Sequence, residues 1–200
     1  FHTLGSLITI QGYVLLLPLI VVLFYHEYFL IYVFSLSAFL SIVVGLAITR
    51  FTRQDTVRFI QAMLVCGLAW MILSLFGAIP FYLGAKASFL DSYFETVSGF
   101  TTTGITIFTN IESLPRSILF WRSLIQWLGG LGILTFFLAI TFRSHSTYFQ
   151  LFSAESHKID ASRPTPSISK TIIILWTIYS ILTLFEILVL KILGLNIFDS

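Results

Sequence analysis

Long apolar runs separated by short polar connections organise the chain. Five of them are long enough to cross a bilayer, which takes about 20 mostly apolar residues: Leu4–Tyr25, Tyr28–Thr49, Val57–Leu83, Ser117–Phe142 and Thr171–Leu193. A sixth, Ser88–Val97, is too short, since at about 1.5 Å per residue it reaches roughly half-way through the hydrocarbon. Ser88 followed three positions later by Asp91 has the spacing of a capping box, so this segment predicts a short helix. Behind it comes Ser98-Gly99-Phe100-Thr101-Thr102-Thr103-Gly104-Ile105-Thr106, a polar, glycine-bounded stretch in a membrane-grade sequence. Lipid tolerates irregular backbone only where protein or a water-filled cavity surrounds it. The pattern therefore predicts an all-α membrane protein with five transmembrane helices and one re-entrant helix with its loop. Ser37, Ser41 and Gly45, and the glycines at 129, 130 and 132, mark faces where helices can approach closely; a hinge in the fourth span is the competing role for the glycines. Pro18 and Pro80 can kink their helices.

Composition supports this architecture. Of 200 residues, 57% are hydrophobic and 10% charged, against about 25% charged in soluble domains. A net charge of +2 gives no reason to expect nucleic acid as a partner. Cys66 is the single cysteine, which rules out a disulfide within the chain and suits a small packing residue. The first run lacks a basic leader and is read as a span that stays in the membrane. Arg50, Arg53 and Arg58 fall in one connection, and Arg143, Lys158, Arg163 and Lys170 in another on the same side. The opposite side has Lys86, Arg116, Arg122 and Lys191, offset by Glu27, Asp91, Glu95, Glu112, Glu186 and Asp199. The positive-inside rule then places the N-terminus in the cytoplasm and the re-entrant loop on the outer side. Tyr25, Tyr28, Tyr32, Tyr82, Tyr93 and Trp121 fall near the outer interface. The long connection reads as a tether with a turn at Arg163-Pro164-Thr165-Pro166-Ser167, and Tyr148, Phe149, Leu151 and Phe152 suit an interfacial helix; a docking surface for a cytosolic regulator is the sharper alternative.

The loop carries the candidate chemistry. A cation leaving water needs its hydration shell replaced, and carbonyl oxygens do this without a full charge that would hold the ion too tightly. Thr101, Thr102 and Thr103 offer backbone and hydroxyl oxygens, and Gly104 can take positive φ. The C-terminal end of the short helix adds the negative pole of its dipole. The competing reading is an external β-like loop, since Thr, Ile and Phe favour strands. Glu95 either braces the loop through backbone amides or faces external water, and Arg122 either pairs with Glu95 or Asp91 or snorkels to the interface. Glu186 lies at a depth that permits snorkelling. His2, His26, His145 and His157 have no ligand spacing, and neither a nucleophile–histidine–acid set nor a phosphate loop stands out, so no covalent chemistry and no cofactor are expected.

Phe94-Glu95-Thr96-Val97-Ser98-Gly99-Phe100-Thr101-Thr102-Thr103-Gly104 resembles the first pore loop of the Trk/Ktr/HKT potassium transporter family. Phe120-Trp121-Arg122-Ser123 with Trp127-Leu128-Gly129-Gly130-Leu131-Gly132 resembles the second helix of the same repeat. Leu151-Phe152-Ser153-Ala154-Glu155-Ser156, the Thr165-Pro166 turn and the span containing Trp176 resemble the linker into the next repeat. The two extra N-terminal spans point to the bacterial Trk-type membrane subunit. The resemblance implies residues 1–56 as two N-terminal helices, 57–142 as the first helix–pore-loop–helix repeat, 143–169 as a cytoplasmic linker and 170–200 as the first helix of a second, truncated repeat. It makes Thr101, Thr102, Thr103 and Gly104 one quarter of a potassium filter, with Glu95 and Arg122 as its support. It also implies an inner-membrane homodimer with a cytosolic nucleotide-binding regulatory subunit, and a longer parent protein. Serine at the glycine position is linked in this family to sodium permeation, so Gly104 favours K⁺. A non-transporting membrane anchor or assembly subunit is the competing function, and an intramembrane enzyme would need a polar cluster within the spans.

Overall fold

The computed structural model describes residues 1–53, 59–132, 135, 168–196 and 198–199. It is helical, with no strand among the described residues. The elements are α1 (His2–Val14), α2 (Pro18–Phe24), α3 (Ile31–Phe51), α4 (Phe59–Gly77), α5 (Ile79–Gly84), α6 (Phe89–Phe100), α7 (116–132) and α8 (Ile168–Ile192). Among the described residues, four helical stretches are long and apolar enough to cross a membrane: His2–Phe24, Tyr28–Phe51, Met63–Gly84 and Lys170–Ile192. They coincide with four of the expected spans. The far part of the remaining one, Ser117–Phe142, lies outside the described residues apart from Thr135, as do the proposed interfacial helix and the Arg163–Ser167 turn.

The chain divides into two compact units, Phe1–Gly130 and Leu131–Ser200. In the second, α8 is one uninterrupted helix; its Thr177, Ser180 and Thr183 hydroxyls donate to carbonyls four residues back, the usual way a helix in lipid satisfies them. Glu186 is exposed on it.

In the first unit Pro18 and Pro80 each stand at a helix break. Pro18 has no N–H to give Val14, and the chain tightens to three-residue bonds, Leu16 N to Tyr13 O (3.1 Å) and Leu17 N to Val14 O (3.0 Å), before α2 begins. Pro80 sits in the first turn of α5, just past the end of α4. α1 packs along α3. Ser37, Ser41 and Gly45 are buried, as the small-residue stripe predicts, and a methyl on Gly45 would overlap Thr9 and the Gly5 backbone. The serine hydroxyls are consumed within the helix, by Val33 O (2.7 Å) and Ser37 O (2.8 Å).

A dense apolar cluster of Leu15, Leu30, Phe34, Phe81, Ile118, Trp121 and Ile125 ties α1–α3, α5 and α7 together. Trp121 corrects an expectation. Rather than being an exposed ring it is fully buried, and its indole N–H donates to Gly77 O at 3.0 Å, next to the proline break. A buried indole needs such an acceptor, and an irregular helix end supplies one.

Candidate functional site

α6 starts as its sequence predicts. The Ser88 hydroxyl oxygen accepts from Asp91 N (3.2 Å), while its O–H donates to the Asp91 carboxylate (2.7 Å). Twelve residues give it about 18 Å, still well short of the roughly 30 Å core. It runs further than the expected Ser88–Val97, because Ser98, Gly99 and Phe100 are helical. The reason is local. Thr102 N donates to Gly99 O (2.9 Å) and Thr103 N to Ser98 O (3.0 Å), the bond pair of a Schellman closure, which holds the last turn in helical form.

That closure needs a left-handed residue after the cap, and here it is Thr102, with φ 56°. A β-branched residue in that region costs about 1–2 kcal/mol relative to the right-handed one. Gly104 follows with φ 76°, a conformation glycine adopts without that cost. The threonine hydroxyls knit the turn: Thr101 Oγ1 donates to Val97 O (2.8 Å) and lies 2.8 Å from Thr103 Oγ1, and Thr102 Oγ1 donates to Thr101 O (2.7 Å).

The backbone amides of 101 to 104 thus all bond back to α6, Gly104 N reaching Ser98 O at 3.4 Å. The oxygens divide differently. Gly104 O accepts from an Arg122 terminal N–H (3.4 Å) and Ile105 O from the Ser98 hydroxyl (2.5 Å). The Thr102 and Thr103 carbonyls accept no hydrogen bond among the described residues, and both residues are exposed.

Behind the turn sits a buried ion pair. Glu95 is 1% exposed; its Oε1 accepts from Arg122 Nε at 2.5 Å, and its Oε2 accepts from Ile107 N and Thr106 Oγ1, each at 3.0 Å. Glu95 therefore bonds to the backbone instead of facing water, and Arg122 chooses Glu95 over Asp91 or the interface. Four elements position the pair: α6, the outgoing segment, α7 and α4, whose Met71 O accepts from Tyr93 Oη (3.3 Å). Close approach of α7 depends on Gly129, where a methyl would overlap the Phe100 carbonyl; this is the packing role expected for that glycine.

Two contributions were not readable from the sequence. Glu27, taken only as a charge, caps α7 from far along the chain: Oε1 accepts from Arg116 N (2.7 Å) and Oε2 from Ser117 N (3.0 Å) and Ser117 Oγ (2.5 Å). Two adjacent free amides at a helix N-terminus suit a carboxylate. The Arg116 guanidinium meanwhile lies 4.8 Å from the centre of the Tyr25 ring. The other is Ser98, whose hydroxyl reaches a carbonyl seven residues on. Among the described residues no cluster of His, Cys, Asp and Glu could hold a metal ion.

The TrkH family profile, described as a cation transport protein, matches residues 31–196. An uncharacterized cation transporter of Methanocaldococcus jannaschii is 37% identical over 200 residues, covering 100% of this chain and 41% of the relative. The Trk system potassium uptake protein TrkH of Halomonas elongata is 37% identical over 154 residues, covering 76% of this chain and 32% of the relative. Trk system potassium uptake protein TrkG of Escherichia coli K12 is 28% identical over 204 residues, covering 100% and 42%. The chain thus spans about two-fifths or less of these relatives' lengths. With a profile match over most of its residues, the chain belongs to the TrkH family of cation transport proteins.

Proposed function

We propose that this chain is the N-terminal part of a potassium uptake protein, and that Thr101, Thr102, Thr103 and Gly104 form one quarter of its ion filter. The observation that carries the reading is the sorting of polar groups at the end of α6. Amides 101 to 104 turn back to the helix, while the Thr102 and Thr103 carbonyls accept no hydrogen bond among the described residues and both residues are exposed. Carbonyl oxygens presented at a helix C-terminus, with the amides turned away, suit a dehydrated cation. Glu95 and Arg122 support the filter from behind, fixing the segment that leaves it. Potassium is favoured by the likeness to two Trk system potassium uptake proteins and by Gly104.

In this reading α6 is a re-entrant pore helix entered from the outer side, and 57–142 is one helix–pore-loop–helix repeat. Residues 1–56 are two preceding spans, 143–169 a cytoplasmic linker and 170–200 the start of a second repeat. The protein lies in the inner membrane with a cytoplasmic N-terminus, works as a homodimer and binds a TrkA-like nucleotide-binding regulator. The full-length gene should restore growth of a potassium-uptake-deficient bacterium at low K⁺. Gly104→Ser should admit sodium in competition flux. A bulky residue at 104 that leaves flux and ion preference unchanged would defeat the proposal in favour of a non-transporting anchor or assembly subunit.

A further inference from the structure

Ser98 holds the turn at three points from a place of its own in the last turn of α6. It is 5% exposed. Its carbonyl accepts from Thr103 N (3.0 Å) and Gly104 N (3.4 Å), and its hydroxyl donates to Ile105 O at 2.5 Å. Any residue could supply the carbonyl. Only a short hydroxyl or a close mimic supplies the third bond. Glu95 lies one turn earlier and holds Thr106 and Ile107, so residues three apart on one helix face tie down 105, 106 and 107 in succession. Ser98 makes the tie next to Gly104.

We propose that Ser98 is a positioning residue that sets ion preference without touching the ion. Its hydroxyl occupies the Ile105 carbonyl, next to the Gly104 carbonyl that Arg122 occupies. It also pins the outgoing limb against α6, which fixes the spacing at which the Thr102 and Thr103 oxygens are presented. Removing the hydroxyl releases a further carbonyl beside Gly104 and loosens the limb, and a looser set of oxygens discriminates less between ions of different radius. The inference rests on the filter reading above.

The test uses the full-length protein in the uptake-deficient strain and in vesicles, with K⁺, Rb⁺ and Na⁺ in competition. Ser98→Ala should reduce the K⁺ over Na⁺ preference on the order of five- to tenfold, the scale of one lost hydrogen bond. Ser98→Thr, which keeps the hydroxyl, should restore most of it. Should the alanine protein fail to assemble, Ser98→Cys carries the comparison, since a thiol is near-isosteric but a weak donor, and an intermediate loss is expected. Wild-type preference in Ser98→Ala or Ser98→Cys, alongside altered preference in Gly104→Ser, would overturn the Ser98 assignment and leave the filter standing. No change in either position would overturn the filter reading and this one with it.

Discussion

The division of labour between the two Glu95 oxygens makes a prediction at the level of single atoms. Glu95→Ala removes the acceptor of the Ile107 amide, whereas Arg122→Ala removes a donor that uses the other oxygen. A hydrogen bond to a charged acceptor contributes about 1.5–3 kcal/mol, and each 1.4 kcal/mol is a factor of about ten, so opening at Ile107 should become roughly 10- to 150-fold easier in Glu95→Ala. Arg122→Ala keeps that bond and should accelerate exchange there far less. It should lower overall stability more, however. It strands a carboxylate that is 1% exposed, whereas Glu95→Ala strands a guanidinium whose side chain is 20% exposed and can reach water. Breaking a buried pair from the side that leaves the buried charge costs about 3–5 kcal/mol. Hydrogen exchange by mass spectrometry on peptides covering 105–110, with thermal unfolding of the same full-length variants in detergent, reads both quantities. Equal exchange in wild type and Glu95→Ala would refute the bracing, and a smaller thermal loss for Arg122→Ala than for Glu95→Ala would refute the burial argument.

Four further outcomes are expected. Glu27→Ala should lower the thermal midpoint by the equivalent of about 1–2 kcal/mol through loss of the α7 cap, and increased exchange should localise to 116–120 if that mechanism holds. Trp121→Phe keeps most of the apolar volume but orphans the Gly77 carbonyl, costing about 1–3 kcal/mol; an unchanged melting curve would mean that water or another donor replaces the indole. Gly129→Ala should cost about 1–3 kcal/mol or more because the methyl meets the Phe100 backbone, which cannot rotate away. Gly67→Ala on α4, with nothing within 4 Å of the added methyl, should be neutral or gain up to about 1 kcal/mol. Comparable loss of folded protein in both would show that α7 does not depend on that contact.

The spans were legible because lipid imposes a length and a composition that ordinary helices need not meet. The turn after α6 was legible as a break, since a threonine-glycine run interrupts the apolar sequence there. Its inner construction was harder to read. The end of α6 was placed three residues early because Ser98 and Gly99 look like loop residues, and the bonds that keep them helical come from Thr102 and Thr103 beyond them. Trp121 carries the amphipathic signature of an interfacial ring, and only its distant neighbour Gly77 turns that polarity inward. Glu27 and Ser117 are too far apart in sequence for any local pattern to join them. Glu95 and Arg122 were paired in expectation, against equal alternatives, because a helix and the next span had to meet near the loop.

The neutrality of the Glu95–Arg122 pair has a consequence for reach. From Glu95 to Phe108 no other residue is formally charged, so with the guanidinium against the carboxylate the region carries no monopole. Its pull on an approaching cation is that of oriented dipoles, which decays over a few ångströms rather than over a Debye length of about 8 Å. If the turn is the proposed filter, added salt should therefore do little to binding there, and recruitment of ions from bulk would come from charge located elsewhere.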